Sequence, residues 1–125
     1  MCKGLGFDLC EVARMEKHLD DGRFLSRFFT DEEAAYVRSR GAHAAESLAG
    51  IFSAKEAFAK AMGTGITFDL REVGISHGSL GEPLYVLTGR AAEMAGSDRL
   101  LLSISHDGGM AGAVCLRETA EGTEE

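Results

Sequence analysis

From His43 to Met62 the chain carries no proline, and Leu48, Ile51, Phe58 and Met62 recur at helical spacing along one stripe. This pattern constrains the fold more than any other, because it requires one long helix and a layer to bury its apolar stripe against. Gly63 is placed to close the helix as a left-handed cap, and Gly65 frees the following turn. Gly50 interrupts the run at a cost of about 1 kcal/mol, too little to stop it. Ser53 and Glu56 have capping-box spacing, yet the apolar stripe passes Ser53 unbroken, so one helix is expected rather than two.

Around this helix the signals alternate between strand and helix. In "KGLGFDL", Leu5, Phe7 and Leu9 share one strand face and Gly4, Gly6 and Asp8 the other, which is bare apart from one carboxylate. A helical stretch is expected from about Glu11 to Leu19, then a turn at "DDG" and a short segment "RFLSRFF". Thr30 and Glu33 form a capping box ahead of a helix at "DEEAAYVRSR". Beyond the long helix come a hairpin in "VGISHGSLGEPLYVL", a helix at "TGRAAEMAG", and strands "RLLLSISH" and "MAGAVCL" joined through "DGG". This order favours an α+β fold, an antiparallel sheet with a long buried helix, over a regular parallel α/β fold.

At 125 residues the chain is read as a single domain over residues 1–117, followed by an acidic, flexible tail over 118–125 with four glutamates and no base. That tail carries part of the net charge of −7, and no basic face for nucleic acid stands out in the remainder. The apolar runs are too short for a signal peptide or a membrane span, so no membrane association and a cytoplasmic location are expected. Cys2, Cys10 and Cys115 are odd in number and lack metal-ligand spacing, which fits free thiols.

Glu56 and Lys60 lie about 40° apart on the helix and roughly opposite Phe58. Read alone they are a solvated i,i+4 pair worth about 0.3–0.5 kcal/mol. Read with Asp8, a lone carboxylate on a glycine-lined strand face where a ligand or metal can approach the backbone, they become a site. Two carboxylates with water and phosphate oxygens suit magnesium, and Lys60 could neutralise a phosphate. The competing reading of Asp8 is an N-cap for the helix near Glu11.

His106 closes a strand at a sheet end, His77 falls in the loose-looking turn "SHGSLG", and Cys10 lacks an activating partner, which favours a buried thiol. "GTG" follows a helix C-terminus, whose dipole repels anions, and is no nucleotide-hydrolase phosphate loop.

Taken together, "GLGFDLCEVARM", "AGIFSAKEAFAKAMGTGI", "GEPLYV" and "LLSISHDGGMAGAVC" resemble the holo-acyl-carrier-protein synthases, the small 4′-phosphopantetheinyl transferases, over nearly the whole chain to about Arg117. The signatures are G-x-D at Gly6 to Asp8 and K-E-A-x-x-K-A at Lys55 to Ala61. The resemblance implies the family's fold and transfer of the phosphopantetheine arm of coenzyme A to a serine of an apo acyl carrier protein, with magnesium, releasing adenosine 3′,5′-bisphosphate. By position Asp8 and Glu56 match its metal ligands. Lys60 matches a lysine on the phosphate that helps the leaving group, and Glu56 or a metal-held water would take the serine proton. Lys60, Gly63, Pro83, Ser105 and His106 match the coenzyme A site, and Arg14, Arg23 and Arg27 match docking positions for the acidic carrier. A solvated mixed-charge face is the alternative for those arginines.

The family's small members are trimers with sites between subunits, so a homotrimer is implied. Ile51 stands where relatives often carry arginine, and Met110 and Gly112 replace bulkier residues. The departure at Ile51 leaves an alternative open: a non-catalytic module on the same fold that binds coenzyme A or carrier protein without transfer.

Overall fold

The computed structural model describes residues 1–120. The chain runs β1 (Cys2–Glu11), α1 (Val12–Glu16), α2 (Gly22–Phe28), α3 (Asp31–Arg38), α4 (Ala44–Met62), β2 (Val73–His77), β3 (Pro83–Leu87), α5 (Gly89–Ala95), β4 (Arg99–Asp107) and β5 (Met110–Glu118). The fold is α+β with antiparallel pairing throughout. Its strands form two sheets rather than one: β1-β5-β4, and the separate hairpin β2-β3.

The long helix forms as its stripe predicts, over 19 residues, and Leu48, Ile51, Phe58 and Met62 are all buried. Gly63 ends it in the left-handed region at φ 79°, its N–H donating to the carbonyls of Ala59 (3.2 Å) and Lys60 (3.1 Å). Gly50 lies inside the helix, where a Cβ would come within 2.9 Å of Ile104 Cγ2, so the missing side chain is what lets β4 pack here. The Thr30–Glu33 capping box is present in both directions.

The sheet β1-β5-β4 covers one side of α4, and the contact is made of small residues. Gly4 and Gly6 of β1 and Ala111, Ala113 and Cys115 of β5 face Ser53, Ala57 and Ala61 of the helix. What approaches the glycine-lined face of β1 is therefore the backbone of α4 itself. Leu5, Phe7 and Leu9 point the other way and are about half exposed.

Three expectations are corrected. The helix expected from Glu11 to Leu19 is only Val12–Glu16; the chain then tightens into three-residue turns, His18 N to Met15 O (2.9 Å) and Leu19 N to Glu16 O (3.3 Å). The stacking of His18 on Phe24, ring centroids 3.9 Å apart, and the capping of Phe24 N by Asp21 hold that turn. Asp8 caps no helix, since it sits within β1 opposite Ala113 and the N-cap of α1 is Glu11. Glu118, read as the first tail residue, closes β5, pairs with Cys2 and accepts from Arg99 Nε at 2.7 Å. Residues 121–125 of the expected tail lie outside the described residues.

Candidate active site

Asp8, Glu56 and Lys60 come together because β1 lies along α4. The tight Gly6 contact brings the strand down onto the helix, and Asp8, two residues on, faces the same way. One turn of helix separates Glu56 from Lys60, placing both beside that strand. The Lys60 Nζ donates to Asp8 Oδ1 and to the Phe7 carbonyl, each at 3.2 Å. Glu56 is half-buried, and no hydrogen bond holds its carboxylate among the described residues. Burial, then the negative charge of Asp8, push its pKa above the usual carboxylate range, opposed by Lys60 and Arg14.

This donor set suits a hard, hydrated cation. No group of three or more His, Cys, Asp or Glu side chains is arranged to hold a metal among the described residues. Asp8 and Glu56 instead present two carboxylates whose mutual repulsion a divalent ion would relieve, the sparse set that magnesium accepts while keeping several waters.

Beside Glu56 a groove of about 730 Å³ opens between α2 and the chain after α4, lined by Arg27, Phe28, Phe52, Ile66, Phe68 and Arg71. The Arg27 guanidinium carbon is 5.3 Å from the Phe28 ring centroid and that of Arg14 is 6.0 Å from Phe52, so exposed cations border an apolar floor. Arg23 is exposed at the start of α2.

The remaining predicted positions lie elsewhere in the chain. Pro83 and His106 line a second cavity of about 350 Å³ together with Tyr36, Arg40, His43 and Ile51. His106 Nδ1 there lies 3.4 Å from Glu46 Oε2. Ser105, its neighbour in β4, is on the opposite, outer face near Phe7 and Leu9. Gly63 stays at the end of α4 with open space where a side chain would be. His77 is not in a loose turn: it ends β2, pairs with Pro83 and stacks on Tyr36 at 3.9 Å. Cys10 is buried as expected, and burial pushes its thiol pKa up.

The residues 4–109 match the family model of the 4′-phosphopantetheinyl transferase superfamily. The chain belongs to that superfamily. Over 122 residues it is 42% identical to the holo-[acyl-carrier-protein] synthase of Treponema denticola, covering 94% of this chain and 99% of that protein. Its fold matches the crystal structure of the holo-(acyl-carrier-protein) synthase of Bacillus anthracis in complex with CoA (3′,5′-ADP), with a TM-score of 0.81 and 32% identity, covering 96% of this chain and 99% of that one. It also matches the Helicobacter pylori holo-[acyl-carrier-protein] synthase in complex with coenzyme A, with a TM-score of 0.79, 31% identity, and 91% and 99% coverage.

Sequence reasoning placed Glu33 in a cap and Lys55 in a motif, and missed that the two pair. Lys55 is wholly buried and lies 2.8 Å from Glu33 Oε1, itself only 1% exposed. A signal was available: Lys55 is seven residues after Leu48, hence within the apolar stripe, where an unpartnered charge cannot sit. Tyr36, Arg40 and His43, which line the second cavity, had no such signal.

Proposed function

We propose that this chain transfers the 4′-phosphopantetheine group of coenzyme A to a serine hydroxyl of an apo acyl carrier protein, giving holo carrier protein and adenosine 3′,5′-bisphosphate. The observation that carries the reading is the convergence of Asp8, Glu56 and Lys60 on one edge of the β1–α4 contact. The serine oxygen forms a bond to the phosphorus bearing the pantetheine arm, the bond to the bisphosphate oxygen breaks, and the serine proton passes to Glu56 or to a water beside it. Lys60 turns its ammonium from Asp8 toward the phosphate and the charge that develops on the leaving oxygen. Asp8 and Glu56 would hold magnesium, which supplies neutralisation of the phosphate charge. Little covalent chemistry is asked of the protein, so positioning and electrostatics suffice.

Arg27, which lines the groove, and Arg14 and Arg23, exposed on α1 and α2, offer cations to an acidic carrier. The cavity of Pro83 and His106 is the place for the nucleotide end of coenzyme A, with Arg40 as a cation and His43 as a hydrogen-bonding group near its phosphates.

This cavity and the Asp8 cluster are separate within one protomer. A homotrimer closed through the outer sheet face, with sites between subunits, would bring one protomer's cluster to a neighbour's cavity. Leu5, Phe7, Leu9, Leu101 and Val114 on that face support this, being 38–62% exposed as one apolar patch. Among the described residues no helix is long and apolar enough to cross a membrane. The cytoplasm is the proposed location.

The test is a mass measurement on an apo carrier protein incubated with the protein and coenzyme A, with magnesium and with a chelator. A gain of one phosphopantetheine only when magnesium is present is the expected result. Coenzyme A binding with no gain on any of several carriers would instead support the non-catalytic module.

A further inference from the structure

Lys55 Nζ donates to three acceptors on three segments: Glu33 Oε1 in α3 at 2.8 Å, the Leu70 carbonyl at 2.9 Å and the Val73 carbonyl at the start of β2 at 2.9 Å. It also lies 5.4 Å from the centroid of Phe29, at the end of α2. Glu33 is as fully used, its Oε1 accepting from Thr30 N at 2.9 Å and its Oε2 from Ile75 N at 2.7 Å. The ammonium's three donors are thus spent, and one buried pair joins α4 to the end of α2, to α3 and to β2.

A pair of this kind is a poor way to add stability, because apolar side chains of similar volume often do as well. What it provides is direction. The contact of α4 with β1 is built from Ala57 and Ala61 against Gly4 and Gly6, with no large side chains interlocking at those positions. Hydrogen bonds fixed in angle resist a roll of the helix on such a contact.

The next residue is Glu56, whose carboxylate has no hydrogen bond of its own among the described residues, and Lys60 follows one turn later. Side-chain tips lie at a radius of about 5–6 Å, so a roll of about 10° moves them by about 1 Å. A misplacement of about 1 Å can cost about a hundredfold in rate.

We infer that the buried Glu33–Lys55 pair is a positioning device that sets the roll of α4 and so aims Glu56 and Lys60 at the reacting groups, an inference that rests on the transferase reading above. Lys55 and Glu33 touch no substrate in this reading; they act through the helix.

The experiment compares Lys55→Met and Glu33→Gln with Leu102→Ala, a control that removes half-buried packing on β4 outside the site. Stability is read by urea unfolding, and kcat and the KM for coenzyme A are read at a temperature where each variant is folded. The expected result is a kcat reduced about tenfold or more in both pair variants, with KM within about twofold and the control's kcat within about twofold of wild type. Should Lys55→Met fail to fold, Glu33→Gln, which keeps an acceptor oxygen, carries the comparison. Folded pair variants with the control's kcat would overturn the inference, as would failure of both to fold, which would make the pair a stability element. Absence of transfer by the wild type would fault the functional reading instead.

Discussion

Gly6 of β1 stands against the backbone of α4 so closely that a Cβ built on it would lie 2.8 Å from the Ala61 nitrogen and nearer still to the Ala57 carbonyl oxygen. Neither neighbour is a flexible side chain, so a larger residue must push strand and helix apart. Gly6→Ala is expected to cost about 3 kcal/mol or more, at the upper end of overpacking effects, and to separate Asp8 from Lys60. Urea unfolding and a carrier-modification assay check both parts. A variant with wild-type stability would contradict the close contact.

Lys60 is exposed, and its 3.2 Å bond to Asp8 is a surface ion pair that contributes little to stability. Lys60→Met should therefore leave stability within about 0.5 kcal/mol while lowering kcat about 10²–10³-fold. Asp8→Ala should abolish turnover; full activity would remove its place in the site.

Glu56 offers a sharper separation of stability from function. Its pKa is raised by burial and by Asp8, so keeping it ionised at neutral pH works against folding. With metal absent, Glu56→Gln should raise or maintain the melting temperature while turnover is lost. Thermal scans in chelator beside activity in magnesium decide it, and a marked loss of stability would count against the assignment.

The outer face of β1-β5-β4 gives a test of assembly. Phe7 is 53% exposed in the protomer, so Phe7→Glu should fold normally as a protomer yet prevent association through that face. Light scattering on a sizing column should show a trimer for the wild type and a monomer for the variant, with activity reduced at least about tenfold. A monomeric, active wild type would remove the intersubunit site.

Asp98 supplies a pH dependence. Hydrogen bonds from Lys3 and then Arg117 hold its carboxyl below the usual range, tying the start of β1 to β5. A depressed folded-state pKa means that the unfolded chain binds the proton first. The stabilisation is thus complete above the unfolded value of about 3.9 and is lost as pH falls through the lower folded value. Asp98→Asn should lower the melting temperature at neutral pH and leave it close to wild type in acid, below the folded value. An equal deficit at both pH values would exclude the ionic contribution.

What the sequence determined by itself was local. The stripe of Leu48, Ile51, Phe58 and Met62, the Gly63 cap, the Thr30–Glu33 box and the two hairpins all depend on residues a few positions apart, where helical and strand periods act directly. The family motifs likewise named Asp8, Glu56 and Lys60 without showing how they meet. Alternation divided β1 into two faces, but only packing decided that the face of Gly4, Gly6 and Asp8 lies on α4, because a close helix needs small residues more than the sheet needs its leucines covered. Lys55 had to find Glu33 across 22 positions (55 − 33), and Glu33 had to serve both as a cap and as a buried counter-charge. Such pairings are set by the three-dimensional closure of α3 and β2 around α4, since a buried charge is stable only where distant segments together satisfy it.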